Sequence, residues 1–259
     1  MTKIIAVANQ KGGVGKTTTS VNLATSLAVM KRKVLIIDMD PQGNATTGVG
    51  LDKQTPPVFL SDVLLGDAQV EAAIQAVPNT NIEALGGGAD LTIAEFQMMK
   101  MDDREFCLHK VLSDIKSRYD FIIIDCPPSL NMLTVNALVA ANGVLIPMQC
   151  EYYALEGLSA LVGSINTIRK NANPGLEITG VLRTMYDPRN NLSRDVSKQL
   201  SEYYADKLYN TSIPRNVRLA EAPSHGLPAL LYDKRSSGAL AYLALAAEMI
   251  RKEAAREAA

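Results

Sequence analysis

Along this chain, short unbroken apolar runs alternate with stretches in which apolar residues recur every three or four positions. Lys3–Asn9 (KIIAVAN), Lys33–Asp38 (KVLIID), Asp120–Asp125 (DFIIID), Gly143–Met148 (GVLIPM) and Ile178–Thr184 (ITGVLRT) are runs of the first kind. Apolar throughout, they predict strands buried on both faces. Lys16–Val29 is of the second kind, with Val21, Leu23, Ala24, Leu27 and Ala28 at helical spacing. Ala89–Lys100, Arg104–Arg118 and Ser236–Ala258 also read as helices, and Leu208–Ser212 as a short strand-like run. Pro56-Pro57 marks a loop and Gly86-Gly87-Gly88 a sharp turn. Buried strands with helices between them imply an α/β fold: a doubly wound, mostly parallel sheet with helices on both faces and right-handed crossovers. Such a sheet presents ligands at the carboxyl ends of its strands, where Asn9, Asp38 and Asp125 fall. With no internal repeat or low-complexity linker, residues 1–259 are expected to form a single domain.

Composition narrows the class. A chain of 259 residues, 47% of them hydrophobic, can bury a large core. No apolar run is long enough for a bilayer, and Met1-Thr2-Lys3-Ile4-Ile5 lacks the pattern of a signal peptide, so a cytoplasmic protein is expected. Cys107, Cys126 and Cys150 are far apart and form no metal-type pair, which predicts free, mostly buried thiols. His109 and His225, being isolated, cannot supply a metal site. A net charge of −1 gives no bulk signature of nucleic-acid binding, which would need a local basic patch.

The most informative segment is Lys3–Thr19: strand, glycine-rich loop, helix. That context suits a phosphate-binding loop. Gly12, Gly13 and Gly15, with Val14 between them, let backbone N–H groups turn toward phosphates, and the following helix aims its positive end at the same anion. Lys16 would reach the β- and γ-phosphates of ATP, the Thr17 hydroxyl would take one Mg²⁺ position, and Thr18 would contact the α-phosphate. The usual pattern has glycine six positions before the lysine; Gln10 stands there instead. Asp125, ending an apolar strand, has the position of an acidic Mg²⁺ holder, often through water. Asp40, just past another strand end, is the candidate to position the attacking water. For Asp38, a role toward Mg²⁺, a role toward Lys16 and a structural role at the strand end stay open.

The segments KGGVGKTT, IIDMDPQGNAT and FIIIDCPPSL resemble the deviant Walker-A P-loop ATPases, and within them the ParA/Soj chromosome- and plasmid-partitioning group. The resemblance covers nearly the whole chain. It implies that Lys11 reaches across an ATP-bound sandwich homodimer to the partner's phosphates, and that Gly12 lies where the two copies crowd together. It places the adenine pocket on Pro214, Arg215 and Asn216, with Met185 nearby. It implies non-specific DNA binding by the ATP-bound dimer, with Arg189 and Arg218 at the DNA-contact positions, and hydrolysis stimulated by a ParB-like centromere-binding protein through a short basic segment. The expected setting is the cytoplasm, on the nucleoid.

Three other functions use related loops or none of the chemistry. A membrane-attached cell-division ATPase of the MinD type needs a C-terminal amphipathic helix, but after Ile250 only alanines remain apolar, and alanine buries too little area to anchor one. A redox reductase of the nitrogenase-iron-protein type needs paired cluster-bridging cysteines, which are not evident. A nucleotide-binding scaffold that hardly hydrolyses would make little use of Asp40 and Lys11.

Overall fold

The protein, seen as a computed structural model, is described over residues 2–258, with side chains as far as Arg256. Met1 and Ala259, the ends of the expected single domain, lie outside the described residues, as do the side chains of Glu257 and Ala258 in the C-terminal segment considered for membrane attachment.

Seven strands form one sheet: β1 (Lys3–Val7), β2 (Val34–Asp38), β3 (Ile74–Ala76), β4 (Ile82–Leu85), β5 (Phe121–Asp125), β6 (Gly143–Gln149) and β7 (Glu177–Thr184). Their order is β3-β4-β2-β5-β1-β6-β7, and every pair is parallel except β3–β4 at the edge. The expected doubly wound α/β fold is therefore present.

Alternation within the strands builds two cores. Ile4, Ala6, Leu35, Ile37, Ile122 and Ile124 point to one face, and Ile5, Val7, Val34, Ile36, Phe121 and Ile123 to the other. The first face is covered by helices at 90–98, 107–115, 132–140 and 154–171, through residues such as Leu91, Leu112, Leu138 and Leu161. The second is covered by Lys16–Val29 and Ser237–Ala258, through Leu23, Leu27, Tyr242, Leu245 and Met249. These last two helices are pinned together where the Thr19 Oγ1 and Tyr242 hydroxyl lie 3.1 Å apart. The apolar side of the C-terminal helix thus faces the protein's own core. Among the described residues no helix is long and apolar enough to cross a membrane.

Three expectations change in detail. The stretch Arg104–Arg118 is interrupted: an α-helix at Cys107–Ile115 lies between two 3₁₀ turns, Arg104–Phe106 and Lys116–Arg118. Leu208–Ser212 makes no strand. Leu208 forms one isolated bridge with Val181, and the segment pairs with β7 and its exit again only at Ile213 and Pro214, so no continuous ladder forms between them. The run Gly86-Gly87-Gly88 is a close-packing point as much as a turn. A Cβ on Gly87 would sit 2.2 Å from the carbonyl oxygen of Asp38, so a side chain there would push aside the end of β2. All three cysteines are free and buried.

Candidate functional site

The parallel register sets the carboxyl ends of β1, β2 and β5 side by side, with Val7 and Asp38 each opposite Asp125. The loop from Asn9 to Gly15 leaves this edge and enters the helix Lys16–Val29 through Gly15, whose φ of 85° is in the left-handed region. No side chain caps that helix. Its first N–H groups are consequently available to an anion, where the helix dipole favours negative charge. A Cβ added to Gly12 or Gly13 would meet nothing within 4 Å, so the space over the loop is open.

Several side chains hold this loop in shape. The Asn9 Oδ1 accepts the Lys11 N–H (3.0 Å), the Thr184 hydroxyl donates to the Val14 carbonyl (2.8 Å), and the Gln149 amide donates to the Gly13 carbonyl (3.4 Å). The Lys16 ammonium crosses the mouth of the loop to the Lys11 carbonyl (3.1 Å). Lys16 is buried, which lowers its pKa, while the negative field of Asp125 and Asp40 opposes that shift.

Asp125 is fully buried. Its two carboxylate oxygens accept from the hydroxyls of Thr17 (2.7 Å) and Ser20 (2.8 Å), one turn apart on the same helix. Burial first, and then the neighbouring Asp38, hold its carboxyl above the ordinary carboxylate range. Asp38 is raised too, chiefly by burial, although backbone and side-chain bonds from Thr46 act against it. A cation brought between Thr17 and Asp125 would reverse this electrostatic penalty.

Of the roles open to Asp38, its bonds favour the structural one. Its Oδ2 accepts both the N–H and the hydroxyl of Thr46 (each 2.8 Å), and its Oδ1 accepts the Asp40 N–H (3.1 Å). The carboxylate is turned toward Thr46, whereas the Lys16 ammonium is bonded elsewhere. Asp38 thereby shapes the loop that carries Asp40. Asp40 is itself largely buried, and its Oδ1 accepts the Gln42 N–H (2.9 Å). Its other carboxylate oxygen has no bonding partner among the described residues, and so retains acceptor capacity for a water.

Lys11 stands at the mouth of the loop, about half exposed, and its ammonium pairs with Glu151 at 2.5 Å. Glu151 lies just past the end of β6. In the single chain this cation is therefore held within its own subunit.

Gly15, Thr18, Met185, Pro214, Arg215 and Asn216, distant in sequence, line one cavity of about 170 Å³ beside the loop. Met185, at the exit of β7, has a φ of 48°, unusual for a residue with a side chain. The following Tyr186 N–H donates to the Ile213 carbonyl (3.0 Å), tying the two rims together. Asn216 caps the short helix Val217–Glu221 by accepting the N–H groups of Arg218 (3.0 Å) and Leu219 (3.3 Å). A larger cavity, about 750 Å³, opens near Lys3, Asp120 and Asn173 at the amino ends of the strands. Its size does not make it the better candidate, since parallel sheets use the opposite end for ligands.

The two arginines noted for DNA contact leave this same region on exposed segments. Arg189, 89% exposed, follows Met185 by four residues, and Arg218 follows Asn216 by two. Neither lines that cavity.

Five residues that the sequence did not single out contribute to the site: Ser20, Thr46, Gln149, Thr184 and Glu151. Ser20 follows Lys16 by one helical turn, so helical spacing could have placed it beside Asp125. Thr184 and Glu151 lie at or just past strand ends, the same signal that marked Asp38 and Asp125. Thr46 carried no local signal, since its role depends on a loop folding back.

The comparisons with known proteins agree with this geometry. A family model described as an AAA domain matches residues 2–178. The sporulation initiation inhibitor protein Soj of Bacillus subtilis is 51% identical over 249 residues, covering 96% of this chain and 98% of that one. The chromosome-partitioning ATPase Soj of Treponema pallidum is 45% identical over 256 residues, covering 99% of this chain and 100% of the relative. Among solved structures, cobyrinic acid a,c-diamide synthase from Mycobacterium smegmatis, with bound ADP and magnesium, superposes with a TM-score of 0.85 at 37% identity, over 97% of this chain and 95% of that one. A phosphate loop and strand-end aspartates in this fold, with such relatives over nearly the full length, make the chain a member of the ParA/Soj family of partitioning ATPases.

Proposed function

We propose that this protein is an ATP-driven DNA-partitioning switch, built as a single P-loop domain. ATP is held at residues 11–18, with the adenine in the cavity between Met185 and Pro214-Arg215-Asn216. Lys16 bonds the terminal phosphates. The observation that carries this reading is the convergence of the Lys16 ammonium, the Thr17 hydroxyl and the Asp125 carboxylate at one open loop. Thr17 and Asp125 offer hard oxygen donors 2.7 Å apart, which suit Mg²⁺, and Asp38 lies alongside at the next strand end. When bound, Mg²⁺ neutralises charge on the phosphates. The unsatisfied oxygen of Asp40 orients the attacking water.

In the ATP-bound state two copies form a sandwich, and each Lys11 leaves Glu151 to neutralise charge in the other copy's site. That arrangement doubles the phosphate contacts available to DNA, so DNA affinity rises steeply on dimerisation. Arg189 and Arg218 of both copies then meet one DNA face, without sequence preference. Hydrolysis, accelerated by a ParB-like partner, removes the γ-phosphate that holds the dimer, and the subunits leave DNA. The setting is the nucleoid within the cytoplasm. The inward-facing apolar side of the C-terminal helix supports this reading over membrane attachment.

Arg218→Glu tests the output. In a pull-down on nonspecific duplex with a slowly hydrolysed ATP analogue, retention of this variant is expected to fall to background at physiological salt. Retention equal to that of the unsubstituted protein would contradict the assignment of the DNA face.

A further inference from the structure

Both arginines of the proposed DNA face are already occupied. Asp187 grips Arg189 in three ways: its Oδ1 accepts the Arg189 N–H (2.9 Å) and Nε–H (3.0 Å), and its Oδ2 accepts from the far guanidinium nitrogen (2.9 Å). Arg218 donates to Glu221 (2.8 Å), and its Nε lies 3.5 Å from Asp233. These carboxylates come from three separate places, namely the loop after β7, the end of the helix Val217–Glu221 and the residue after the helix Ala229–Tyr232. We propose that Asp187, Glu221 and Asp233 set the strength and salt threshold of DNA binding, because each carboxylate takes part of an arginine's donor set and offsets the charge that would draw a DNA phosphate. This inference rests on the DNA-binding reading above and specifies which residues tune it.

The physical argument is one of competition. A guanidinium has five N–H donors, and a carboxylate on its Nε edge takes two of them and offsets its charge, so a phosphate competes with that carboxylate for the same edge and meets a weaker field at the others. Asp187 holds Arg189 along that edge, and the pairing pulls its own pKa down to about 2. The clamps are solvent-exposed, hence weak enough to be exchanged. One copy of the chain would then gain little from two masked arginines, while a pair of copies presenting four on one DNA face would exceed the threshold. The near-neutral net charge of −1 adds no long-range attraction to blur that step.

The test uses full-length Asp187→Asn and Glu221→Gln chains, alone and combined, with a slowly hydrolysed ATP analogue and a nonspecific duplex across a salt series. Asparagine and glutamine keep an acceptor oxygen, so the local turns survive, and thermal melting checks the fold. Asp114→Asn, an exposed carboxylate on the helix Cys107–Ile115, controls for the simple change in net charge. Each unmasked variant is expected to bind DNA about two- to fivefold more tightly than the Asp114→Asn control and to stay bound at higher salt. The gain from Asp187→Asn should vanish when Arg189→Ala is added. Unchanged or weaker binding by both unmasked variants, with the parent protein binding normally, would overturn the masking role. If the parent itself shows no ATP-dependent retention, the DNA-binding reading fails instead.

Discussion

Lys16→Ala is expected to lower affinity for ATP by about 10²-fold or more, the usual scale for losing one preorganised charged donor in a phosphate site. The Lys16 ammonium is buried, bonded among the described residues to the Lys11 carbonyl alone, and lies in the negative field of Asp125 and Asp40. Without a nucleotide, burial disfavours its charge. A triphosphate arriving over the open loop supplies the counter-charge and regains that cost, so the lysine contributes most when ATP is bound. Alanine also removes a cation from the field of Asp125 and Asp40, so the repulsion of the phosphates by both carboxylates is less opposed. A calorimetric titration with ATP and Mg²⁺ reads the effect directly, with thermal melting to establish that the variant is folded. Affinity within a factor of two of the parent would remove Lys16 from the phosphate site.

Asp40→Ala is expected to separate binding from turnover. Its carboxylate oxygen without a protein partner is the group assigned to the attacking water, and losing such a group costs about 10²- to 10⁴-fold in rate. The loop should otherwise persist. The Asp40 N–H still donates to Asp38, and its carbonyl still accepts the Gly43 N–H at 2.8 Å. The side-chain bond to the Gln42 N–H is lost, but Asp38 and Thr46 continue to fix the segment. ATP should therefore bind, and the protein should remain on DNA with ATP as it does with a slowly hydrolysed analogue. Single-turnover hydrolysis and DNA dissociation, measured on the same preparation, check both halves. Hydrolysis at the parent rate would show that the water is oriented by some other group.

The central strands were legible because burial on both faces leaves a continuous apolar run, as in Phe121–Asp125. The edge was not. Ile82–Leu85 is short and interrupted by Glu83, and Ile74–Ala76 runs straight out of a four-residue helix, so neither carries a run that stands out from its surroundings. The phosphate loop was readable because its chemistry is contiguous: glycines, lysine and threonine occupy adjacent positions. Asp125 was readable from its place at a strand end. What could not be read was the choice among the roles of Asp38, because its partner Thr46 arrives only when the loop folds back and Gly87 packs against it. The pairing of Lys11 with Glu151 spans 140 positions and depends on β1 and β6 being neighbours. The cavity proposed for adenine follows the same rule. Its two rims meet through backbone pairing between residues distant in sequence, such as Tyr186 with Ile213 and Ile213 with Arg183, and the family resemblance, rather than any local pattern, pointed to Pro214-Arg215-Asn216. Asp187 and Glu221 lie close in sequence to the arginines they pair with, and Asp233 does not, yet in every case only side-chain geometry distinguishes a paired arginine from a solvated one.

Retention on nonspecific duplex DNA, measured with ADP, with ATP and with a slowly hydrolysed analogue at two salt concentrations, bears most directly on the switch. Strong retention is expected with the analogue, weaker and transient retention with ATP, and none with ADP, with all binding falling as salt rises. Equal retention in all three nucleotide states, or none in any, would contradict it.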